Sequence, residues 1–410
     1  MSEKQISCVV SCPISTYSGY GRRSLDFVKE LIRIRPDWDI KILSTDWGHS
    51  KSGYLEDHRE QDLLSRVIKS LDTEPDVWIQ ITVPGEFERR GKYNIGVTAS
   101  IETTLCSYEW LEGCNKMDLV IVSSDHGRFA IENSVGEYKE AVLKLSGKVL
   151  RKPRIEVLFE GIDLQKFTVM KNRYKCFVPF NNFLETNWNF LCVGQWLPGD
   201  YGEDRKNIGY TIGMFLDTFK DMDDAPGLIL KVNGTNTSSV DRNEITYKIR
   251  AIQDSIQYTT KLPPIYLLHG ELTDYELNKM YNDSRVKAMV SFTKGEGFGK
   301  PLAEFAAIGK PIICSGWSGQ MDFLSTKISA IVGGSLEYVH PSASNSMLLQ
   351  NAHWFKPDDQ QVVFSFQNMY NNYEYWRKAA ISYSVSFRKR FKVAKMGEKL
   401  DRMLYHYFSI

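Results

Sequence analysis

Two glutamates stand eight positions apart in the segment KGEGFGKPLAE, residues 294–304. The glycines between them allow a tight loop with exposed backbone amides, and Pro301 suits the first position of a helix, where no backbone N–H is needed. We therefore predict a loop that carries Glu296 and a helix whose first turn carries Glu304. Two carboxylates placed in this way can bind different parts of one polar ligand, for example a ribose diol and a second sugar. The alternative is that Glu304 only favours the helix dipole and Glu296 is solvated.

Two adjacent cations stand at the start of another predicted helix in the same half of the chain. Arg205 and Lys206 follow the apolar run 189–194 in the segment QWLPGDYGEDRKN. Cations there oppose the helix dipole, so their position indicates another purpose, such as neutralising a diphosphate. A solvated charge pair is the alternative. The turn GWSGQMDF, which contains Gly319, follows the run 311–315 and adds exposed amides beside the same site.

The N-terminal half has candidate ligand-binding residues after two of its apolar runs. Gly19 and Gly21 precede a predicted helix that carries Arg22, and a glycine turn into a helix N-terminus favours an anion. His126 follows the run 118–124, and we expect its side chain to point toward the site. A tight turn without any ligand explains the two glycines equally well.

The elements that must position these residues alternate regularly along the chain. Short apolar runs predict strands, and longer amphipathic stretches such as 21–34 and 62–71 predict helices between them. Near-continuous apolar strands separated by helices indicate parallel sheets covered on both faces, with sites at the carboxyl ends of the strands. The alternation of strands and helices starts again after a less regular stretch, so we predict two α/β domains joined by a linker at 163–188. The predicted strands are 6–12, 38–44, 76–82, 94–100, 118–124 and 154–160, then 189–194, 227–233, 264–270, 287–293, 311–315 and 329–334.

Composition restricts the class of protein. The chain has 410 residues, of which 42% are hydrophobic and 25% charged, as in a soluble protein of two domains. Its 51 basic and 50 acidic side chains exclude a broadly cationic nucleic-acid-binding protein. The N-terminal segment MSEKQISCVVSCPIS lacks a long apolar core, and no run of about 18 apolar residues occurs, so we expect neither a signal peptide nor a membrane span. The seven scattered cysteines indicate reduced thiols and a cytoplasmic location.

Several segments, in order along the chain, resemble retaining glycosyltransferases of the GT-B architecture, and are most similar to the large family 4. The match is most specific at the Glu-x7-Glu signature and the loop after it. The resembling segments are KGEGFGKPLAEFAAIGKPIICSGWSGQMDFL (294–324), VLFEGIDLQKF (157–167), DRKNIGY (204–210) and MDLVIVSSDHGRFAIENSVG (117–136).

The resemblance implies a fold and its domain boundaries. Two Rossmann-like domains with parallel sheets would face a central cleft, and the C-terminal helix would cross back to the N-terminal domain. Residues 1–165, together with the helix at about 385–410, would form the acceptor-side domain. Residues 166–384 would bind a nucleotide sugar, a UDP- or GDP-sugar. The family needs no metal or other cofactor.

The resemblance also implies a role for each matching residue. Glu304 would bind the donor ribose, and Glu296 would approach the donor sugar. Lys206, with Arg205, would neutralise the leaving diphosphate, while the two N-terminal glycines would leave space for it. The donor-binding positions that complete this set are Gly19, Gly21, Gly297, Phe298, Gly299, Gly319 and Gln195.

Two positions depart from the usual pattern of the family. Gln195 stands where many members carry an arginine, and the loop TASIETT offers Glu102 where many carry a histidine. Glu102, His126 and Arg22 are therefore the candidates for contacts with the acceptor or the transferred sugar. Retention implies attack on the same face as the leaving phosphate, and a covalent intermediate on Glu296 is the alternative.

The expected activity is transfer of a hexosyl or pentosyl group to a hydroxyl of a glycan or lipid-linked glycan. The first alternative is a phage-type DNA glycosyltransferase acting on a hydroxymethylated base, because such enzymes share the architecture. A nucleotide-sugar epimerase and a non-catalytic sugar-nucleotide binder are the others. The acceptor would meet loops 13–23, 45–61, 83–93 and 100–112, in which cations and aromatic side chains are interleaved. The sequence leaves the oligomeric state open.

Overall fold

The computed structural model describes residues 5–146, 149–170, 177–234, 237–257 and 259–408. The chain divides into two compact units, Met1–Gly161 with Phe391–Ile410, and Ile162–Arg390. The predicted linker 163–188 belongs to the second of these units, and its residues 171–176 lie outside the described residues.

The first unit is built on a seven-stranded sheet in which every pair of neighbouring strands is parallel. The strand order β3-β2-β1-β4-β5-β6-β7 is that of a doubly wound sheet, which has helices on both faces. Because both faces of the sheet are buried, its strands are continuous apolar runs in the sequence. The strands are β1 (Ser7–Cys12), β2 (Asp39–Ser44), β3 (Val67–Ile68), β4 (Val77–Ile81), β5 (Tyr93–Thr98), β6 (Leu119–Val122) and β7 (Ile155–Val157). The helices of this stretch are α1 (Gly19–Ile34), α2 (Tyr54–Asp57), α3 (Gln61–Ser65), α4 (Tyr108–Lys116) and α5 (Asp125–Ser146), with a 3-10 turn at Pro84–Glu86.

The second unit repeats this design with a six-stranded parallel sheet of order β10-β9-β8-β11-β12-β13. Its strands are β8 (Asn189–Gln195), β9 (Gly227–Asn233), β10 (Ile265–Leu267), β11 (Val286–Ser291), β12 (Ile312–Ser315) and β13 (Ala330–Val332). An antiparallel hairpin follows, made of β14 (Gly334–Tyr338) and β15 (His353–Pro357). The helices are α6 (Ile208–Phe219), α7 (Ser239–Ser255), α8 (Asp274–Asn282), α9 (Lys300–Ile308), α10 (Asp359–Asn371) and α11 (Tyr373–Phe391), with 3-10 turns at Val178–Asn182, Gly319–Asp322 and Pro341–Ala343.

The last helix, α12 (Val393–Phe408), belongs to the first unit. Its buried residues Leu400 and Leu404 share one hydrophobic core with Leu31 of α1. A Cβ at Gly397 would lie 2.1 Å from Oε2 of Glu30, so the glycine lets α12 approach α1 without displacing that side chain. The amphipathic spacing of the apolar residues thus places the C-terminal helix on the N-terminal sheet unit.

Every predicted strand overlaps an observed one, so the prediction of two parallel-sheet units is confirmed. The predicted helix at 62–71 is confirmed only for 62–65, because α3 ends at Ser65 and the β-branched pair Val67–Ile68 joins the edge of the sheet beside β2. The β14–β15 hairpin was not predicted. None of the helices in the described ranges is both long and apolar enough to cross a membrane.

Candidate active site

The loops that follow the carboxyl ends of β8 and β11 are joined by hydrogen bonds. The backbone carbonyl of Arg205 accepts a hydrogen bond from the Lys294 amide at 2.8 Å. The Arg205 guanidinium donates to the Gly295 carbonyl at 2.8 Å, and the Asn207 side chain donates to the Phe292 carbonyl at 3.0 Å. Asn207 caps α6 in the left-handed region, which asparagine tolerates better than most residues. The turn before α6 is therefore fixed against the loop that carries Glu296.

The hydrogen bonds between these two loops bring together two of the predicted catalytic residues. Nζ of Lys206 lies 2.5 Å from Oε1 of Glu296, and their side chains are 22% and 13% exposed. Burial alone would raise the pKa of Glu296, but the charges of Lys206 and Arg205 outweigh it, so the pKa lies below the usual glutamate value. The site thus presents an ionised carboxylate and a cation side by side.

The backbone of Glu296 is held by the loop after β12. Its N–H donates to Oγ of Ser318, and its carbonyl accepts from the Gly319 amide, both at 2.9 Å. A Cβ at position 319 would lie 2.3 Å from the Gly297 carbonyl oxygen, so only glycine fits there. The sequence predicted exposed amides in this loop, but the Gly319 amide already bonds to Glu296.

The start of α9 differs in detail from the prediction. The helix begins at Lys300 with Gly299 as its N-cap at φ +92°, so Pro301 is the second helical residue and Glu304 lies beyond the first turn. Glu304 is only 6% exposed, and the Tyr281 hydroxyl lies 3.5 Å from its Oε2. The carboxylate of Glu304 is therefore enclosed on one side by the core of the unit.

Two further predicted donor-binding residues make contacts within the fold. The Phe298 ring is buried against the Phe323 ring, with centroids 5.0 Å apart, so only the backbone of Phe298 is available to a ligand. Gln195 ends β8 with an exposed side chain that donates to the Gly234 carbonyl at 2.9 Å. This bond links the ends of the adjacent strands β8 and β9.

A buried carboxylate that the sequence reasoning missed lies just before the two cations. Asp204 is 1% exposed, and its Oδ2 accepts from the Ile208 amide at 3.4 Å. Burial raises its pKa to about 6. Hydrogen bonds from the Ile208 and Asn207 amides and the charges of Lys294 and Arg205 lower the pKa, but by less than burial raises it. The segment DRKN contains this aspartate, but its charge pattern gives no sign of burial.

A buried cation was also missed. Lys294 is 3% exposed, its ammonium lies 2.7 Å from Oε1 of Glu337, and it stands 4.7 Å from the centre of the Trp354 ring. The Phe355 amide donates to the Lys294 carbonyl at 3.0 Å. All three partners come from the β14–β15 hairpin, which thereby supports the loop that carries Glu296.

The glycine turn of the first unit forms the beginning of α1. Gly19 and Gly21 lie inside the first turn rather than before it, with Ser18 as the N-cap accepting from the Gly21 amide at 2.9 Å. Space is open around Gly19, whereas a Cβ at Gly21 would lie 2.1 Å from the Thr16 carbonyl oxygen. Nε of Arg22 lies 4.0 Å from an Asp26 oxygen. Packing against Thr16 thus accounts for Gly21, whereas no contact of this kind accounts for Gly19.

His126 and Glu102 lie close together at the carboxyl edge of the first sheet. His126 is the second residue of α5, is 9% exposed, and contacts the backbone of Ile101 and Thr103 on either side of Glu102. Burial lowers its pKa to about 4, so the ring is neutral at pH 7. His126 therefore supports the loop that presents the half-buried Glu102.

No group of three or more histidine, cysteine, aspartate or glutamate side chains among the described residues could hold a metal ion. The six described cysteines are buried and free, and Cys176 lies outside the described residues.

Comparison of the sequence with protein-family models and with curated proteins finds no match. The structure is similar to solved GT-B glycosyltransferases. The Anabaena protein HepE, in complex with UDP and glucose, is 11% identical with a TM-score of 0.61, over 98% of this chain and 100% of that one. Sucrose-phosphate synthase from Thermosynechococcus elongatus is 12% identical with a TM-score of 0.60, over 99% and 100%. The catalytic domain of Starch Synthase IV from Arabidopsis thaliana, bound to ADP and acarbose, is 9% identical with a TM-score of 0.61, over 99% and 100%. The likeness shows that the fold is GT-B.

Proposed function

We propose that this chain transfers a sugar, with retention of configuration, from a nucleoside-diphosphate sugar to an acceptor hydroxyl. The observation that carries the proposal is the ion pair of Lys206 with Glu296, fixed at the carboxyl end of the second sheet. A cation beside an ionised carboxylate suits a donor that combines a diphosphate with a sugar. Similar folds that bind UDP-glucose in HepE and ADP in Starch Synthase IV support a nucleotide donor.

Each charged residue has a distinct task in the proposed reaction. The bond between the anomeric carbon and the phosphate oxygen breaks, and the leaving diphosphate gains negative charge. Lys206, assisted by Arg205, neutralises that charge, and one such fixed contact is worth about 3 kcal/mol in the transition state. Glu296 accepts hydrogen bonds from hydroxyls of the donor sugar, and Glu304 binds the ribose. The acceptor oxygen attacks the same face, and its proton passes to the departing phosphate oxygen.

The acceptor we propose is a glycan or lipid-linked glycan rather than DNA. Binding to DNA needs cations that are available to phosphates. The basic residues of loop 83–93 are instead paired with carboxylates of the same unit. These pairs are Arg89–Asp118 at 3.0 Å, Arg90–Glu88 at 2.6 Å and Lys92–Asp76 at 2.5 Å. Each of these exposed pairs would have to open before its cation could contact a phosphate, which is a small disadvantage for a duplex on this surface. The free cysteines support the proposed cytoplasmic location.

A donor and acceptor screen tests the proposal. The chain is incubated with UDP-, GDP- and ADP-sugars, alone and with oligosaccharide, lipid-linked glycan or hydroxymethylated duplex DNA, and released nucleoside diphosphate is measured. We expect release that depends on a glycan acceptor. Conversion of the donor without acceptor would instead indicate an epimerase, and binding without release would indicate a non-catalytic protein. Salt-sensitive transfer to the DNA would favour DNA over a glycan as the acceptor.

A further inference from the structure

Ser318 has a backbone conformation that serine rarely adopts. Its φ is +72° and its ψ is −159°, a region populated almost only by glycine. Asn207, by comparison, lies at φ +56° and ψ +36°, the ordinary left-handed region. Strained residues of this kind persist only where the surrounding structure holds them, and they concentrate at functional sites.

The Ser318 hydroxyl connects Glu296 to the sheet. Its oxygen accepts a hydrogen bond from the Glu296 amide at 2.9 Å, and its O–H donates one to Oε1 of Gln320 at 3.1 Å. Gln320 is fully buried, and its Nε2 donates to the carbonyl of Ser315, the last residue of β12, at 3.0 Å. Three consecutive hydrogen bonds therefore run from the end of a central strand to the Glu296 backbone.

We propose that Ser318 is the positioning residue for Glu296, an inference that rests on the proposed sugar transfer. The hydroxyl fixes the Glu296 backbone, so that the carboxylate stays within reach of Lys206 and of the donor sugar. A glycine at position 318 would adopt the same conformation without strain, but it would supply no hydroxyl. The strained serine therefore indicates that the hydroxyl itself is needed at this position.

Two substitutions separate the hydroxyl from the strain. Ser318→Gly removes both, and Ser318→Ala removes the hydroxyl but keeps the strain. The matched control is Ser384→Ala, which deletes another buried hydroxyl, one that donates to the Ile381 carbonyl within α11. For each variant, hydrogen exchange at the Glu296 amide is measured without ligand, together with the melting temperature, kcat and the donor KM.

Both Ser318 variants should exchange the Glu296 amide faster than wild type. They should also lower kcat about tenfold to a hundredfold, because misplacement of a group that orients the donor sugar is costly. The donor KM should change less than about threefold, because the nucleotide is held by other residues. Ser318→Gly should keep the wild-type melting temperature, Ser318→Ala should lower it, and Ser384→Ala should leave exchange and kcat unchanged.

The inference would be wrong if kcat fell only in the variant whose melting temperature falls. In that case Ser318→Gly turns over like wild type, and only Ser318→Ala is impaired. Unchanged exchange at the Glu296 amide in both variants would also overturn it. A wild-type chain that releases no nucleoside diphosphate from any donor would overturn the proposed function alone, since the exchange measurement still decides whether Ser318 holds Glu296.

Discussion

The buried carboxylate of Asp204 should make the stability of this protein depend on pH. Its pKa is about 6 in the folded chain, against an ordinary value of 3.8, and burial is the main cause. A raised pKa means that the folded state holds the proton more tightly than the unfolded state does. The ionised form therefore costs stability above pH 6, and this cost disappears as the pH falls through 6 toward 3.8.

The pKa difference sets the size of the effect. About two pKa units correspond to roughly 3 kcal/mol of unfolding free energy, since one unit is about 1.4 kcal/mol. Asp204→Asn removes the titration. The free energy of unfolding of this variant, minus that of wild type, should therefore rise by up to about 3 kcal/mol between pH 4 and pH 7.5. Measuring the difference over pH cancels any constant effect of the new amide on the buried site.

Urea unfolding at half-unit steps of pH, followed by tryptophan fluorescence, measures this difference. The matched control is Asp217→Asn, because Asp217 is an exposed carboxylate on α6 and pairs with Lys220 at 2.7 Å. The control difference should stay nearly constant over the same range. Parallel pH curves for Asp204→Asn and wild type would show that Asp204 is ionised at little cost, and the reasoning from its burial would be wrong.

Three other variants test the proposed reaction. Lys206→Ala should lower turnover about a hundredfold with the fold intact, measured as release of nucleoside diphosphate, and near-normal turnover would place the leaving diphosphate elsewhere. Glu304→Gln should weaken donor binding in calorimetry more than it slows turnover, because ribose contacts exist before the transition state, and wild-type affinity would remove the ribose role. Joint replacement of Arg89, Arg90 and Lys92 by alanine should change transfer and its salt dependence little, whereas a flattened salt dependence would favour a DNA acceptor.

The sequence by itself determined the elements and the general location of the site. Strands buried on both faces must be apolar along their whole length, so all the strands that form the two sheets, apart from the short edge strand at Val67–Ile68, could be predicted from the apolar runs. That edge strand has only two residues, too few to show a period, and it was taken for the end of a helix. The glycines, Pro301 and Glu304 correctly predicted a loop followed by a helix, with an error in the position of the first turn.

Only the tertiary structure decided which side chains meet. Lys206 and Glu296 are separated by 90 positions, and they pair because β8 and β11 are neighbours in the sheet, an order that local patterns do not encode. The same holds for Ser318, whose role depends on the loop after β12 reaching the Glu296 backbone. Burial of Asp204 likewise could not be predicted, since hydrophobic periodicity describes regular elements and says nothing about the burial of residues in the loops that follow them.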